Sequence, residues 1–188
     1  LVERIADGIN IPFTVGGGIS SLDDASRLLD AGADKISINS AAIANPSLID
    51  SIAARYGSQF VVVAIDARQM DDGVWRATTH GGSRPSDKEL FSWAREAEQR
   101  GAGEILFTSM NHDGTRSGYP CETFAALSEQ ITIPIIASGG AGANSQHFVD
   151  VFNKANADAA LAASIFHFGT LPIPQLKTEL KAQKINVR

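Results

Sequence analysis

The residues Pro12 to Ile19 (PFTVGGGI) and Pro134 to Ala141 (PIIASGGA) align position by position, the second stretch lying 122 residues after the first. Each is a short apolar run closed by glycine, the pattern of a strand feeding a tight loop. The likeness resumes further on. Ala33 and Asp34 match Ala157 and Asp158, and each pair leads to a turn of small residues, Asn39-Ser40-Ala41 and Ala162-Ala163-Ser164. A duplication of this length constrains the fold more than any one motif, because the architecture of the first copy must accommodate the second.

The chain between and around the copies alternates. Leu1 to Ile9 reads as the last turns of an amphipathic helix, followed by a strand from Ile11 to Val15. Ser21 with Asp24 is a carboxylate form of the capping box and opens a helix that stops at Gly32. A strand at Lys35 to Asn39, a helix at Ser47 to Tyr56 and a strand at Phe60 to Ala67 come next, then a hairpin from Gln69 to Thr79 with Asp72 and Gly73 at its tip. Ser86 and Glu89 form a full capping box, which predicts a helix running to Gly101. The remaining pattern predicts strands at Glu104 to Met110, Ile133 to Ser138 and Ala159 to Ala162. Helices fall at Cys121 to Glu129, Asn144 to Lys154, Ser164 to Phe168 and Ile173 to Lys184.

Strand and helix follow one another six times, which predicts an α/β fold with a parallel sheet wrapped by helices, either open and doubly wound or closed as a barrel. One copy of the repeat carries four strand-helix units, and two copies make eight, the number that closes a barrel. The expectation is a (β/α)8 TIM-barrel fold of which only the last six units, strands 3 to 8, fall within residues 1–188, as a single partial domain without the first two units.

Composition excludes several functions. The formal charge of -5 comes without a basic tract, which argues against nucleic acid and against an anionic membrane as partner. No stretch approaches the roughly 18 apolar residues of a membrane span. The lone Cys121 forms no internal disulfide and fits a reducing cytoplasm, and it lacks a partner base that would make it a nucleophile. His80, His112, His147 and His167 lack metal-ligand spacing, so no metal and no cofactor is expected.

The run Phe60 to Ile65 is wholly apolar and then Asp66 appears, as in a buried strand that surfaces in a site. An acid at the carboxyl end of a barrel strand serves as general acid or base when its surroundings tune it; the plainer alternative is an aspartate that caps a loop. The glycine turns admit two readings as well. Either they are tight turns only, or their backbone N–H groups and the helix ends behind them cradle phosphate. Two matched turns flanking Asp66 favour the second reading and predict a substrate with phosphate at both ends. Stepping by twos puts Lys35, Ser37 and Asn39 on one strand face and Glu104, Leu106 and Thr108 on another. Lys35 and Glu104 then either meet at the amino-terminal floor of the sheet or remain solvated charges at strand starts.

With these residues in place the sequence resembles the cyclase subunit family of imidazole glycerol phosphate synthase, along essentially its whole length. The resemblance is carried by FTVGGGI (Phe13 to Ile19), DKISINSAA (Asp34 to Ala42), VVVAIDAR (Val61 to Arg68), IIASGGAG (Ile135 to Gly142), DAALAASIFHF (Asp158 to Phe168) and the Gly101 to Gly118 stretch with Asp113, Gly114 and Thr115. It implies an enzyme of histidine biosynthesis that joins ammonia to a bisphosphorylated formimino-carboxamide ribonucleotide, yielding imidazole glycerol phosphate and aminoimidazole carboxamide ribotide. It implies Asp66 as one of two catalytic aspartates, the other having no counterpart here. Gly18, Asn39 and Ser40 match one phosphate site; Gly114, Gly140, Ala163 and Ser164, with Asp113 and Ser138 beside them, match the other. The implied partner is a glutaminase subunit at the amino-terminal face of the barrel, with Lys35 and Glu104 in an ammonia gate and Asp34 at the interface. The related isomerase of the same pathway, and a non-catalytic phosphate-binding remnant, are the alternatives.

Overall fold

The computed structural model describes residues 1–188. In chain order its elements are α1 (Val2–Ala6), β1 (Thr14–Gly16), α2 (Leu22–Asp30), β2 (Lys35–Ile38), α3 (Ser40–Ala44), α4 (Ser47–Tyr56) and β3 (Val61–Gln69). A hairpin of β4 (Trp75–Thr79) and β5 (Arg84–Glu89) follows, then α5 (Leu90–Gln99), β6 (Glu104–Ser109) and α6 (Cys121–Ser128). The chain closes with β7 (Ile135–Ser138), α7 (Gln146–Ala155), β8 (Ala159–Ala160), α8 (Ser164–His167) and α9 (Ile173–Ala182). Six strands pair in parallel in the order β1-β2-β3-β6-β7-β8, each step a helical crossover. Arg188 lines both a cavity beside β1 and a groove beside β8, so the two sheet edges come round toward each other. This is a parallel α/β sheet of TIM-barrel type.

The two faces of that sheet differ in chemistry because side chains alternate along each strand. Ile36, Ile38, Val61, Val63, Ile65, Ile105, Phe107 and Ala137 point outward and form one apolar core with Ile49, Ile52, Trp93, Phe124 and Phe148 of the helices. Phe107 is its centre, with ring centroids 4.7 Å from Phe124 and 5.7 Å from Trp75. The other face carries Lys35, Ser37, Ala64, Asp66, Glu104 and Thr108, all only partly buried. The helices therefore hold the sheet from outside, and the inner face mixes these polar groups with Val62, Leu106 and Ile136.

Three expectations need correction. Ser86 to Glu89 does not open a helix: it lies in β5, antiparallel to β4, and α5 begins at Leu90. The Ser86 hydroxyl donates to the Ala77 carbonyl at 2.8 Å, so the sheet edge rather than a helix end satisfies it. Pro85 sits opposite Thr78 on this edge strand, where its missing N–H costs nothing. The first strand begins at Thr14 instead of Ile11, and Ile11 is 70% exposed. The opening helix ends at Ala6, short of Ile9. The other capping motif forms in one of its two arms: Ser21 Oγ accepts the Asp24 N–H at 3.1 Å, but the Asp24 carboxylate accepts from the Ser20 N–H at 3.1 Å rather than from that of Ser21.

The repeat has a physical counterpart at the sheet's amino-terminal end. Asp34 Oδ2 accepts the Phe13 N–H at 2.7 Å, and Asp158 Oδ2 accepts the Ile135 N–H at 2.9 Å. Each aspartate also donates its own N–H back to the same residue's carbonyl, at 2.9 and 3.0 Å. A two-way clamp thus starts both strands. Asp34→Ala and Asp158→Ala are each expected to cost about 1 kcal/mol in denaturant unfolding, the net value of a typical intramolecular hydrogen bond.

Candidate functional site

Both glycine turns open into cavities at the carboxyl ends of the strands. The first cavity, about 720 Å³, is walled by Gly16 to Ser20, Ser37 to Ala41, Ala64, Asp66, His80 and Gly81. Gly17 and Gly18 have φ of +96° and +73°, and a Cβ on either would meet nothing within 4 Å, so their backbone faces open space. The second cavity, about 220 Å³, is walled by Asp113, Gly114, Arg116, Ser138 to Ala141 and Leu161 to Ser164. Gly139 and Gly140 take φ of +88° and +112°, the same left-handed pair one repeat later.

The second turns also correspond. Asn39 (φ -132°, ψ -90°) precedes α3, which starts at Ser40, and Ala163 (φ -110°, ψ -75°) precedes α8, which starts at Ser164. Each cavity is therefore bordered by a left-handed glycine pair and by the start of a short helix, whose first N–H groups have no partner inside the helix. Around the second cavity the loop is packed more tightly. Gly118 N–H donates to the Gly140 carbonyl at 2.8 Å, and Gly142 N–H donates to His147 Nδ1 at 3.0 Å.

Asp66 lies on the inner face, paired in register with Thr108, and opens into the first cavity. Asn39 Nδ2 donates to its Oδ2 at 3.0 Å, and the Thr78 hydroxyl donates to its backbone carbonyl at 2.8 Å, fixing the strand end. Burial raises the Asp66 carboxyl above the ordinary carboxylate range and the charge of Asp113 pushes the same way, against hydrogen bonds from Thr108 and Asn39. A carboxyl held so keeps a proton nearer to neutrality, as acid–base chemistry requires. The Asn39 Oδ1 atom is buried beside it without a hydrogen-bond partner.

At the opposite end of the sheet Lys35 and Glu104 form an ion pair, reaching across β3 from β2 and β6. The reading in which the two charges meet is the correct one. Asp34 is exposed, but its carboxylate is engaged with Phe13. Gly18, Asn39 and Ser40 gather at the first cavity with Asp66; Asp113, Gly114, Ser138, Gly140, Ala163 and Ser164 gather at the second. Sequence reasoning missed His80, Gly81 and Arg116 as cavity walls. The Gly81-Gly82 pair after β4 is a hairpin-turn signal that pointed to this loop. Cys121 is half-buried, and burial raises its thiol further from reactivity. No helix is long and apolar enough to cross a membrane.

A parallel sheet of barrel type, with a tuned carboxyl on a central strand and two matched glycine turns at the strand ends, defines an α/β barrel-type protein with its site at the carboxyl face. The family model described as "Histidine biosynthesis protein" matches residues 1–172. The imidazole glycerol phosphate synthase subunit HisF of Phocaeicola vulgatus is 61% identical over 188 residues, covering 100% of this chain and 74% of the relative. The subunits of the same name from Bacteroides thetaiotaomicron and Flavobacterium johnsoniae are 60% and 58% identical with the same coverage. The chain belongs to the histidine biosynthesis protein family.

Proposed function

We propose that the chain carries the cyclase chemistry of imidazole glycerol phosphate synthase, joining ammonia to a bisphosphorylated formimino-carboxamide ribonucleotide. The products are imidazole glycerol phosphate and aminoimidazole carboxamide ribotide. The observation that carries this reading is geometric: Asp66, at the end of a central strand, opens into one glycine-walled cavity, and a second cavity with the matching glycine turn lies one repeat further along the sheet. The terminal phosphates occupy the cavities, one at Gly18, Asn39 and Ser40, the other at Gly114, Gly140, Ala163 and Ser164, with Asp113 and Ser138 at its edge. Asp66 then faces the middle of the substrate, where it moves protons as the imidazole ring closes. Asn39 holds the carboxylate and borders a phosphate at once.

The six parallel units correspond to six of eight in a closed barrel, a reading supported by the four-unit length of the repeat and by relatives longer than the matched region. The second carboxyl of the reaction has no counterpart among the 188 residues. Ammonia enters from a glutaminase subunit docked at the amino-terminal end, where the Lys35–Glu104 pair stands across the path and Asp34 lies at the rim. The test is an assay with ammonium ion as nitrogen donor. The chain joined to the remaining segment of a relative is expected to consume the bisphosphate and release the ribotide. The 188 residues alone are expected to bind the bisphosphate without turnover. A joined protein that binds the bisphosphate yet shows no ammonia-dependent turnover overturns the reading.

A further inference from the structure

The first cavity has an unequal complement of charge. Its walls include one carboxylate, Asp66, and no lysine or arginine; His80 is the only side chain there able to carry positive charge. The second cavity, by contrast, has Arg116 in its wall. His80 is brought to the cavity by the β4–β5 hairpin, and the sequence repeat has no part in placing it.

Several contacts fix it there. The His80 N–H donates to Ser40 Oγ at 3.3 Å, tying the hairpin tip to the start of α3. His80 Nδ1 lies 3.0 Å from Thr79 Oγ1, which leaves Nε2 as the ring nitrogen available to a ligand. Backbone φ at His80, Gly81 and Gly82 is +54°, +64° and +86°, so the tip turns back over the sheet through three left-handed residues. Under it, Gly82 packs against Met110 so closely that a Cβ would come within 2.1 Å of the methionine methyl. The tip is thus held from two sides, by Ser40 and by Met110. A histidine in the left-handed region costs on the order of 1 kcal/mol, and the cost is sustained where the ring has a use.

We infer that His80 is a phosphate-contacting residue of the first cavity, donating from Nε2 to a phosphate oxygen held by the Gly16–Gly18 turn. Resting on the reading of that turn as a phosphate cradle, it adds a side-chain donor where the cavity otherwise offers backbone N–H groups and small polar side chains. A dianionic group entering beside a carboxylate is better held with a side-chain donor added to the backbone N–H groups, and Nε2 of His80 is that donor.

The experiment is a titration of the 188-residue chain with inorganic phosphate, followed by the amide resonances of Gly18 and Gly140, which report the two cavities separately. In the wild-type chain both resonances are expected to shift. In His80→Ala the Gly18 response should weaken roughly tenfold, the scale of one charge-assisted hydrogen bond, with the Gly140 response unchanged. That unchanged response doubles as evidence that the variant is folded. His80→Asn, whose backbone accepts the left-handed conformation, should reproduce the loss. A Gly18 response equal to wild type in both variants overturns the inference and leaves the cradle standing. Absence of any Gly18 response in the wild-type chain overturns both.

Discussion

Asp66→Asn, in the chain joined to the remaining segment of a relative, is expected to lower ammonia-dependent turnover roughly 10²- to 10⁴-fold, the range that a general acid or base contributes. The substitution keeps the shape of the side chain and its contact with Asn39, so affinity for the bisphosphate should change little. Stability is expected to move the other way. Burial raises the folded-state pKa of Asp66, so between its unfolded and folded values the folded chain binds the proton more tightly than the unfolded chain. Stability from this group is present below the unfolded value and is lost as pH rises through the folded value. Asparagine carries no charge to bury. The advantage of Asp66→Asn in chemical unfolding should therefore grow as pH is raised through the upper carboxylate range and then level off. A variant less stable than wild type at neutral pH, or one with near-normal turnover, overturns the assignment.

Gly140→Val is expected to destabilise the chain by roughly 3 kcal/mol or more and to remove phosphate binding at the second cavity. Its Cβ would lie 2.1 Å from the Gly118 carbonyl oxygen and 2.8 Å from the carbonyl carbon, backbone atoms that cannot give way. The φ of +112° adds strain of its own. Gly18→Val is the informative contrast. There a Cβ meets nothing within 4 Å, and only the φ of +73° opposes the change, at about 1–2 kcal/mol. Phosphate affinity at the first cavity should still fall, because the new side chain occupies the space the ligand needs. Unfolding by denaturant together with a phosphate titration separates the two effects. Equal destabilisation by both substitutions would contradict the described packing.

The sequence conveyed the parallel architecture and most of the site for one reason: both depend on patterns with a fixed period. Val61 to Ile65 is apolar throughout because Val61, Val62, Val63 and Ile65 are buried on one face or the other, and Asp66 marks the place where the inner face opens to the cavity. The glycine turns were legible because a left-handed pair at Gly17 and Gly18 and again at Gly139 and Gly140 admits few other residues. What failed depended on partners distant in the chain. Ser86 and Glu89 have capping-box spacing, yet the Ala77 carbonyl on a neighbouring strand takes the serine hydroxyl first. Lys35 and Glu104, 69 positions apart, did not fail but stood open between two readings, and the interposed β3 decides that they meet. His80 was invisible as a cavity wall because its place depends on Ser40 and on the packing of Gly82 against Met110, neither of which has a local signature.

The division between the outer and inner sheet faces has a consequence for how this protein can change. Along β3, Val61, Val63 and Ile65 hold the helices, whereas Ala64 and Asp66 face the cavity side. From Val63 to Ala67 tolerance to substitution should accordingly rise and fall with every second residue. Selection for a new substrate can draw on the cavity-facing end of this strand, at Ala64 and Asp66, while Val61, Val63 and Ile65 stay fixed, so innovation and integrity are inherited on separate tracks within a single stretch of chain.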